Sequence, residues 1–441
     1  MAGAAMWVRG RRPACLSRLE HRLRWQGMIW VMADESHSPQ LSRRRFLGAG
    51  AGLAALMGSG AAGLVYYNRE VDRLLTFPAP AVRSLYQGRT TPLLERFPDL
   101  QGQLAWTPLG EGGPTPVEPF PLPAVPRAGQ TAAVYVKRDD LTSPRYGGNK
   151  VRKLEHVLAE ARLGQYTALV TVGGLGSNQC LASAIHGGRM GFAVDACLFN
   201  QPVTEQVRSN LLAGSAAGAN LIYGGDYFRT AVRCVETYLA RRRAGDRPYY
   251  IPAGATTSLA NAGYVNAGLE LGQQVRRGEL PEPDRLLVPA GSCGTTAGLI
   301  VGLKLAGLRT RCVAVRINLS AVTNKVNIRR LARRTLGALR GLTASIPDVA
   351  IDFSDFDVES RFYGGGYGEA TAESLVAESL AASRFPLEQT YSAKAFAACL
   401  AHARELGAGK TVLFWNTFNS AALALGDPAA LPADLRQRLE G

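Results

Sequence analysis

The chain has 441 residues, of which 46% are hydrophobic, so it exceeds one ordinary domain and can bury sizeable cores. Its formal net charge is +15, but residues 1–45 hold nine arginines and three acids, which leaves +9 for the remaining residues. That remainder is a mildly basic globular body, and no basic run with interleaved aromatics occurs, which disfavours nucleic acid as a partner.

Residues 1–68 carry the pattern of an export signal. The stretch from Ser42 to Leu47 reads SRRRFL, which looks like a twin-arginine signal, and an uncharged run from Phe46 to Asn68 follows it. At about 1.5 Å per residue this run can cross a bilayer, so a cleaved signal and an uncleaved anchor both fit. We therefore expect twin-arginine export to the periplasm or to the outer face of the inner membrane. Met32 is an alternative start, with residues 1–31 an upstream extension.

The next stretch, residues 69–130, is rich in proline and glycine. This composition predicts a linker followed by an arm that packs on the larger domain.

The stretch from Lys137 to Glu155 reads KRDDLTSPRYGGNKVRKLE and is the most informative part of the chain. Only seven of the 50 basic residues are lysines, and two of them, Lys150 and Lys153, lie within one predicted helical turn. A lysine near another cation, or partly desolvated, can present the free amine that a Schiff base needs. Gly147 and Gly148 leave room for a flat ligand, and the helix start favours an anion. The alternative is an amphipathic helix with solvated lysines.

After Lys150 the sequence alternates between apolar runs and stretches of helical spacing. The runs predicted as strands are 168–172, 193–199, 220–223, 249–252, 286–289, 312–317 and 411–415. This alternation predicts an α/β fold with parallel sheets and flanking helices, in which ligands bind beyond the carboxyl ends of the strands.

Two further glycine-rich turns follow predicted strands. Residues 170–191 read VTVGGLGSNQCLASAIHGGRMG, and Ser177, Asn178 and Gln179 at the helix start could supply amides and hydroxyls to a carboxylate. Residues 286–303 read LLVPAGSCGTTAGLIVGL, where the turn 292–296 could wrap a phosphate through backbone N–H groups and two threonine hydroxyls. One such turn is weak evidence, but three of them, one with the lysine, are hard to explain by packing alone.

These motifs resemble the fold-type II pyridoxal-phosphate enzymes, a two-domain fold similar to tryptophan synthase β. Within them, the sequence is most similar to the 1-aminocyclopropane-1-carboxylate deaminase and D-cysteine desulfhydrase group. The resemblance runs from about Thr107 to about Ala422. The segments that carry it are GGNKVRKLE, GGLGSNQ, AGSCGTTAGLIVGL, GGGYGEAT and QTYSAKA.

The resemblance implies pyridoxal 5'-phosphate as cofactor and a role for each matching residue. Lys150 would bind the cofactor covalently, with Asn149 beside it, and Lys153 and Asn178 would help to hold it. The phosphate turn would consist of Ser292, Cys293, Gly294, Thr295 and Thr296. The substrate carboxylate would lie at Ser177, Asn178 and Gln179. Tyr367 and Tyr391 would be the two active-site tyrosines, and Ser177 would also be available to move protons. A cofactor inserted in the cytoplasm suits the twin-arginine route, which carries folded proteins.

The resemblance also implies a domain division and a homodimer. The expected domains are an N-terminal extension (1–68), a linker (69–106), a large cofactor-binding domain (107–152 and 254–441) and a small inserted domain (153–253). The sequence departs from the family in one place: where relatives carry a His-Thr-Gly-Gly segment, this chain has Asn416-Thr417-Phe418-Asn419. We expect the bulky Phe418 to reshape the pocket wall.

The residue after Tyr391 helps to choose the reaction. Relatives that open a cyclopropane ring carry a carboxylate there, which keeps the cofactor ring nitrogen protonated, whereas desulfhydrase-like members carry a hydroxyl. Ser392 is a hydroxyl and is assigned to the ring nitrogen, so β-elimination from a small amino acid such as D-cysteine is favoured. The alternatives are a 1-aminocyclopropane-1-carboxylate deaminase and an exported amino-acid-binding protein that has lost catalysis.

Two other features have simpler interpretations. The cysteines are scattered, with no CxxC pair and no histidine at ligand spacing, so no metal site or disulfide framework is predicted. Cys293 is interpreted as a small residue that contributes its backbone N–H. The arginine-rich run 329–334 is interpreted as a solvated helix face.

Overall fold

A computed structural model describes residues 88–110, 113–122 and 131–440. The predicted export signal and the apolar run after it lie outside the described residues. Within the described ranges, no helix combines the length and the apolar character needed to cross a membrane.

The described residues form strands and helices in alternation over most of their length. The strands are β1 (Val117–Pro119), β2 (Ala133–Lys137), β3 (Ala168–Gly174), β4 (Ala193–Phe199), β5 (Asn220–Gly225), β6 (Pro248–Ile251), β7 (Arg285–Ala290), β8 (Arg311–Arg316), β9 (Phe356–Glu359) and β10 (Thr411–Trp415). The helices are α1 (Pro92–Arg96), α2 (Asn149–Leu163), α3 (Asn178–Arg189), α4 (Glu205–Ala216), α5 (Tyr227–Arg243), α6 (Ser258–Arg276), α7 (Gly294–Ala306), α8 (Lys325–Leu342), α9 (Ala372–Ala381), α10 (Ser392–Leu406) and α11 (Ala433–Glu440).

A six-stranded sheet has the order β1-β2-β10-β7-β8-β9. Only β1 is antiparallel to its neighbour, and the other pairings are parallel. Its central strand β10, with the sequence TVLFW, is buried at every position, as expected for a parallel strand covered on both faces. One face of this sheet packs against α6, α7 and α8, and the other packs against α9 and α10. The predicted α/β class with parallel sheets and flanking helices is therefore confirmed.

A second, four-stranded sheet has the order β5-β4-β3-β6 and is parallel throughout. All four strands come from the continuous stretch 168–251. Sequence patterns predicted seven strands, each of which overlaps an observed one, and they missed β1, β2 and β9. Two of them, β1 and β9, are the short edge strands of the six-stranded sheet, where hydrophobic patterning is weakest.

The described part of the expected linker, residues 88–106, is packed rather than extended. Helix α1 begins with a proline after Thr91, whose side chain accepts a hydrogen bond from the Leu94 N–H. Its apolar residues and those that follow it are buried in the same core as α6. This stretch is therefore part of the large core.

The carboxyl ends of β3, β7 and β10 point towards one region. The turn after β3 leads into α3, the turn after β7 leads into α7, and residues 416–420 follow β10. In parallel sheets such ends form the usual ligand site.

Candidate active site

A cavity of about 100 Å³ lies at these strand ends. The side chains and turns around it come from segments far apart in the sequence. Among the residues singled out from the sequence, those that line it are Asn149, Lys150, Ser177, Asn178, Gln179, Ser292, Cys293, Gly294, Thr295, Thr296, Tyr367 and Tyr391. Two others, Lys153 and Ser392, do not line it.

Lys150 lies one residue into α2, which begins after Gly148 in the left-handed region at φ 86°. Burial lowers the pKa of the Lys150 amine to about 8. Burial also lowers the pKa of Lys153 well below its ordinary value, and the charge of Lys150 adds to that shift. Of the two causes that the sequence offered, a neighbouring cation and desolvation, burial is the larger for both lysines.

The turn 292–296 forms a cup before α7. A Cβ on Gly294 would lie 2.5 Å from Asn261 Oδ1, 2.7 Å from Lys153 Nζ and 2.8 Å from Thr256 Oγ1. Only a glycine therefore allows these polar groups to approach the turn so closely. The Lys153 amine donates to the Gly254 carbonyl at 2.9 Å, directly behind this cup.

Unsatisfied polar atoms also mark the cup. Thr296 Oγ1 and Asn261 Oδ1 are buried and have no hydrogen-bond partner among the described residues. The Asn149 amide donates to Thr295 Oγ1 at 3.2 Å and so connects the lysine-bearing turn to the cup. Backbone N–H groups at a helix start, hydroxyls and a buried lysine fit a phosphate group.

Cys293 precedes α7 with φ 67°, a backbone conformation that few residues other than glycine adopt. Its sulfur approaches the Val322 carbonyl at 3.6 Å, and burial raises the pKa of the thiol to about 12. The thiol is thus protonated at neutral pH, which agrees with a backbone role for this residue.

The turn 177–179 starts α3. The Ser177 hydroxyl accepts the Cys180 N–H at 3.3 Å and caps the helix. Asn178 Oδ1 accepts hydrogen bonds from the Tyr146 hydroxyl and the Asn210 amide, each at 3.0 Å. Gln179 Oε1 is buried without a partner among the described residues, so it has an acceptor free for a ligand or water.

Tyr367 and Tyr391 meet at one side of the cavity. Their hydroxyls are hydrogen-bonded to each other, and their rings pack edge to face at 5.9 Å. Burial raises the pKa of both hydroxyls well above the ordinary tyrosine value. Both groups are therefore proton donors at neutral pH.

Ser392 is placed differently from the sequence interpretation. Its hydroxyl accepts the Glu388 N–H at 2.9 Å and is fully buried away from the cavity. The Glu388 carboxylate in turn accepts the N–H groups of Thr390, Tyr391 and Ser392, so it caps α10. Because this hydroxyl is hydrogen-bonded at the helix start, its assignment to the ring nitrogen stays a prediction that the cavity lining does not support. Thr417, which follows β10, does line the cavity and carries a hydroxyl.

Phe418 also fails to line the cavity, although the sequence suggested that it would reshape the wall. Its side chain is 7% exposed, and of the segment 416–419 only Thr417 lines the cavity. The segment turns sharply, since Asn416 Oδ1 accepts the Phe418 N–H at 3.2 Å.

Sequence reasoning missed several lining residues: Phe199, Ala253, Gly254, Asn318 and Thr417. Most of them follow the ends of strands, as do the predicted turns. Ala253 and Gly254 come directly after β6 in a Pro-Ala-Gly sequence, and that combination at a strand end was the available signal.

A larger groove, of about 1070 Å³, borders another part of α2. Its lining includes Arg152 and Glu155 but none of the residues proposed for cofactor or substrate. Size alone would favour this groove, but the lysine, the cup and the tyrosines make the smaller cavity the candidate active site.

A family model described as pyridoxal-phosphate dependent enzyme matches residues 109–417. The chain belongs to the pyridoxal-phosphate-dependent enzymes. This match covers the lysine-bearing turn, the cup and both tyrosines, and it confirms the fold type and the cofactor inferred from the sequence.

Individual relatives narrow the resemblance. The chain is 36% identical over 290 residues to nocardicin C-9' epimerase of Nocardia uniformis. The aligned region covers 64% of this chain and 85% of the epimerase. It is 31% identical over 294 residues to D-cysteine desulfhydrase of Salmonella paratyphi A, with coverage of 65% and 85%. A crystal structure of a 1-aminocyclopropane-1-carboxylate deaminase homologue superposes with a TM-score of 0.62 at 25% identity and covers 74% of this chain and 96% of that one.

Proposed function

We propose that this enzyme is a lyase that catalyses β-elimination from a small amino acid with a good leaving group, with D-cysteine as the model substrate. With one water consumed, D-cysteine would yield pyruvate, ammonia and hydrogen sulfide. The observation that carries the proposal is the chemistry of the cavity lining.

No aspartate or glutamate lines the cavity within the described chain, whereas hydroxyls do so on several sides. When bound, pyridoxal phosphate supplies an electron sink for the pair released at Cα. A carboxylate beside its ring nitrogen would keep that nitrogen protonated and strengthen the sink, whereas a neutral hydroxyl such as that of Thr417 would not. A weaker sink suffices for a thiolate leaving group but serves poorly for opening an unactivated ring.

The residues of the cavity divide the remaining tasks. Lys150, with its lowered pKa, would bind the cofactor and, once displaced by the substrate amine, accept the Cα proton. The turn 177–179 would bind the substrate carboxylate, and the turn 292–296 with Lys153 and Asn149 would hold the phosphate. Tyr367 and Tyr391 are protonated and can donate a proton to the departing group.

Parallel assays of 2-oxo acid release test this proposal. D-Cysteine and β-chloro-alanine should yield pyruvate, while 1-aminocyclopropane-1-carboxylate should yield little 2-oxobutanoate. Ring opening as fast as elimination would overturn the desulfhydrase assignment. Absence of turnover with all three, with cofactor bound, would favour the amino-acid-binding alternative.

A second candidate is epimerisation at Cα, favoured by the similarity to an epimerase. Both reactions begin with loss of the Cα proton, and epimerisation also needs a donor that returns a proton to the other face. The protonated tyrosine pair is a candidate donor. An experiment in heavy water separates elimination from epimerisation. The substrate is an amino acid without a leaving group at Cβ, and an epimerase would convert it to the opposite enantiomer with deuterium at Cα.

For localisation, we propose twin-arginine export to the periplasm or to the outer face of the inner membrane. The support is the SRRRFL pattern and the uncharged run that follows it. Replacing Arg43 and Arg44 with lysine should retain folded protein in the cytoplasm, as measured by cell fractionation. Efficient export of that variant would overturn the proposal.

We also propose a homodimer, which light scattering of the purified protein would test.

A further inference from the structure

The turn that carries Lys150 packs closely against two neighbouring segments. A Cβ on Gly147 would lie 2.0 Å from the Asp140 carbonyl oxygen, and one on Gly148 would lie 2.6 Å from that of Thr417. The turn is thus wedged between the segment after β2 and the segment after β10. Any shift of either segment would move the lysine.

Three consecutive N–H groups lead into this turn, and each has an acceptor. The Gly148 N–H donates to the Asp139 carbonyl at 2.8 Å, and the Asn149 N–H donates to the Thr417 carbonyl at 3.1 Å. The Gly147 N–H donates to Asn419 Oδ1 at 2.6 Å. Asn419 is therefore the one side chain among these three acceptors.

The Asn419 amide is itself fixed at both ends. Its Nδ2 donates to the Ala421 carbonyl at 2.7 Å, and its Oδ1 also accepts the Ala421 N–H at 3.0 Å. The side chain is 7% exposed. The next residue, Ser420, donates from its hydroxyl to Asp140 Oδ2 at 2.5 Å. The segment after β10 is therefore tied to the lysine-bearing turn through a rigid, nearly buried amide.

We propose that Asn419 is a positioning residue that fixes the lysine-bearing turn relative to Thr417 and the phosphate cup. Thr417 lines the cavity two residues before Asn419, and Asn149 reaches from the turn to Thr295 in the cup. This inference rests on Lys150 being the cofactor lysine.

The test compares Asn419→Ala and Asn419→Asp with a matched control, Asn266→Ala. Asn266 is also buried and accepts a backbone N–H, that of Leu93 at 2.9 Å, but it lies outside the cavity. A misplaced reactive group costs roughly 100-fold in rate, so Asn419→Ala should lower kcat by about 10- to 100-fold with little change in KM. It should also weaken the visible circular dichroism band of the bound cofactor. Asn419→Asp keeps the Oδ1 acceptor but loses the Nδ2 hydrogen bond to the Ala421 carbonyl, so it should restore part of both signals, and Asn266→Ala should retain both.

The dichroism measurement needs no substrate, so it remains decisive even if D-cysteine proves to be the wrong substrate. An Asn419→Ala protein with parental kcat and dichroism within about twofold would overturn the proposal. The proposal would also fail if kcat and dichroism fell only in proportion to the amount of folded protein, and if Asn266→Ala caused the same decrease. That result would show a purely structural role for Asn419. If Asn419→Ala fails to fold, Asn419→Ser decides, because its short side chain also removes the Oδ1 acceptor: a weakened band in a folded protein supports the tether, and parental dichroism refutes it.

Discussion

Helix α2 carries two cations, Arg152 and Lys150, whose pKa values shift in opposite directions. Arg152 contacts the carboxylates of Asp139 at 2.7 Å and Glu270 at 2.9 Å, and Lys137 joins the same network at 2.5 Å from Glu270. Burial alone would lower the pKa of Arg152, but these carboxylates outweigh it and raise that pKa well above the ordinary value. Lys150, two residues before Arg152, has no carboxylate partner in the part of the chain that the structure describes, and burial lowers its pKa to about 8.

The comparison shows that burial does not by itself decide the charge of a basic residue. At Arg152 two carboxylates keep the charge, which serves the structure. At Lys137, beside Glu270, burial is still the largest cause and lowers the pKa. At Lys150 the free amine becomes accessible near neutral pH and is available for chemistry. Glu270 shows the other half of the network: burial would raise its pKa, but Arg152 and Lys137 lower it to about 2.

The largest effect is expected when the Lys150 amine is removed. Lys150→Ala should abolish covalent attachment of the cofactor and lower the elimination rate by roughly 10²- to 10⁴-fold for the lost proton transfer alone. Borohydride reduction and peptide mapping of the parent should label the peptide around Lys150. Label on Lys153 or Lys137 instead would contradict the assignment.

In the buried network, Glu270→Gln should lower the free energy of unfolding by about 3–5 kcal/mol, because Lys137 and Arg152 would lose a negatively charged partner. Urea unfolding measures this. The control is Glu236→Gln, whose carboxylate pairs with Arg233 on the surface and should contribute about 1 kcal/mol or less. Equal losses in the two variants would mean that the buried network does not stabilise the fold.

The lowered pKa of Lys150 predicts the pH dependence of cofactor uptake. Only the unprotonated amine attacks the cofactor aldehyde, so the uptake rate of apo-protein should rise with pH and level off above a midpoint near pH 8. Stopped-flow absorbance after mixing with pyridoxal phosphate measures the rate. A rate that still rises steeply at pH 10 would indicate a lysine with an ordinary pKa.

The smallest effect is expected for a cation that is not buried. Arg333 is exposed on α8, so Arg333→Gln should change the free energy of unfolding by less than about 0.5 kcal/mol. The same urea experiment measures it, and a loss as large as that of Glu270→Gln would show that this helix face is covered by a partner.

Much of the site could be predicted because its motifs are local. Glycines and hydroxyls at strand ends, and a lysine beside Gly-Gly, are visible within a few residues of sequence, and most residues chosen in this way line one cavity. The predictions that the cavity lining does not support concern side chains whose direction depends on long-range contacts. Ser392 follows Tyr391 directly, yet it turns to Glu388 at the helix start, and Phe418 turns away while Thr417 faces the cavity.

The sequence by itself determined the α/β class, the lysine-bearing turn and the phosphate turn, because periodicity and glycine placement act through neighbouring residues. Only the tertiary structure decided the protonation of Lys150, the positions of Ser392 and Thr417, and the tether from Asn419 to Gly147. Those properties depend on β10 lying between β2 and β7, which brings residues 416–420 against the turn that carries Lys150. Burial and hydrogen-bond distances across such a separation follow from packing and have no local signature in the sequence.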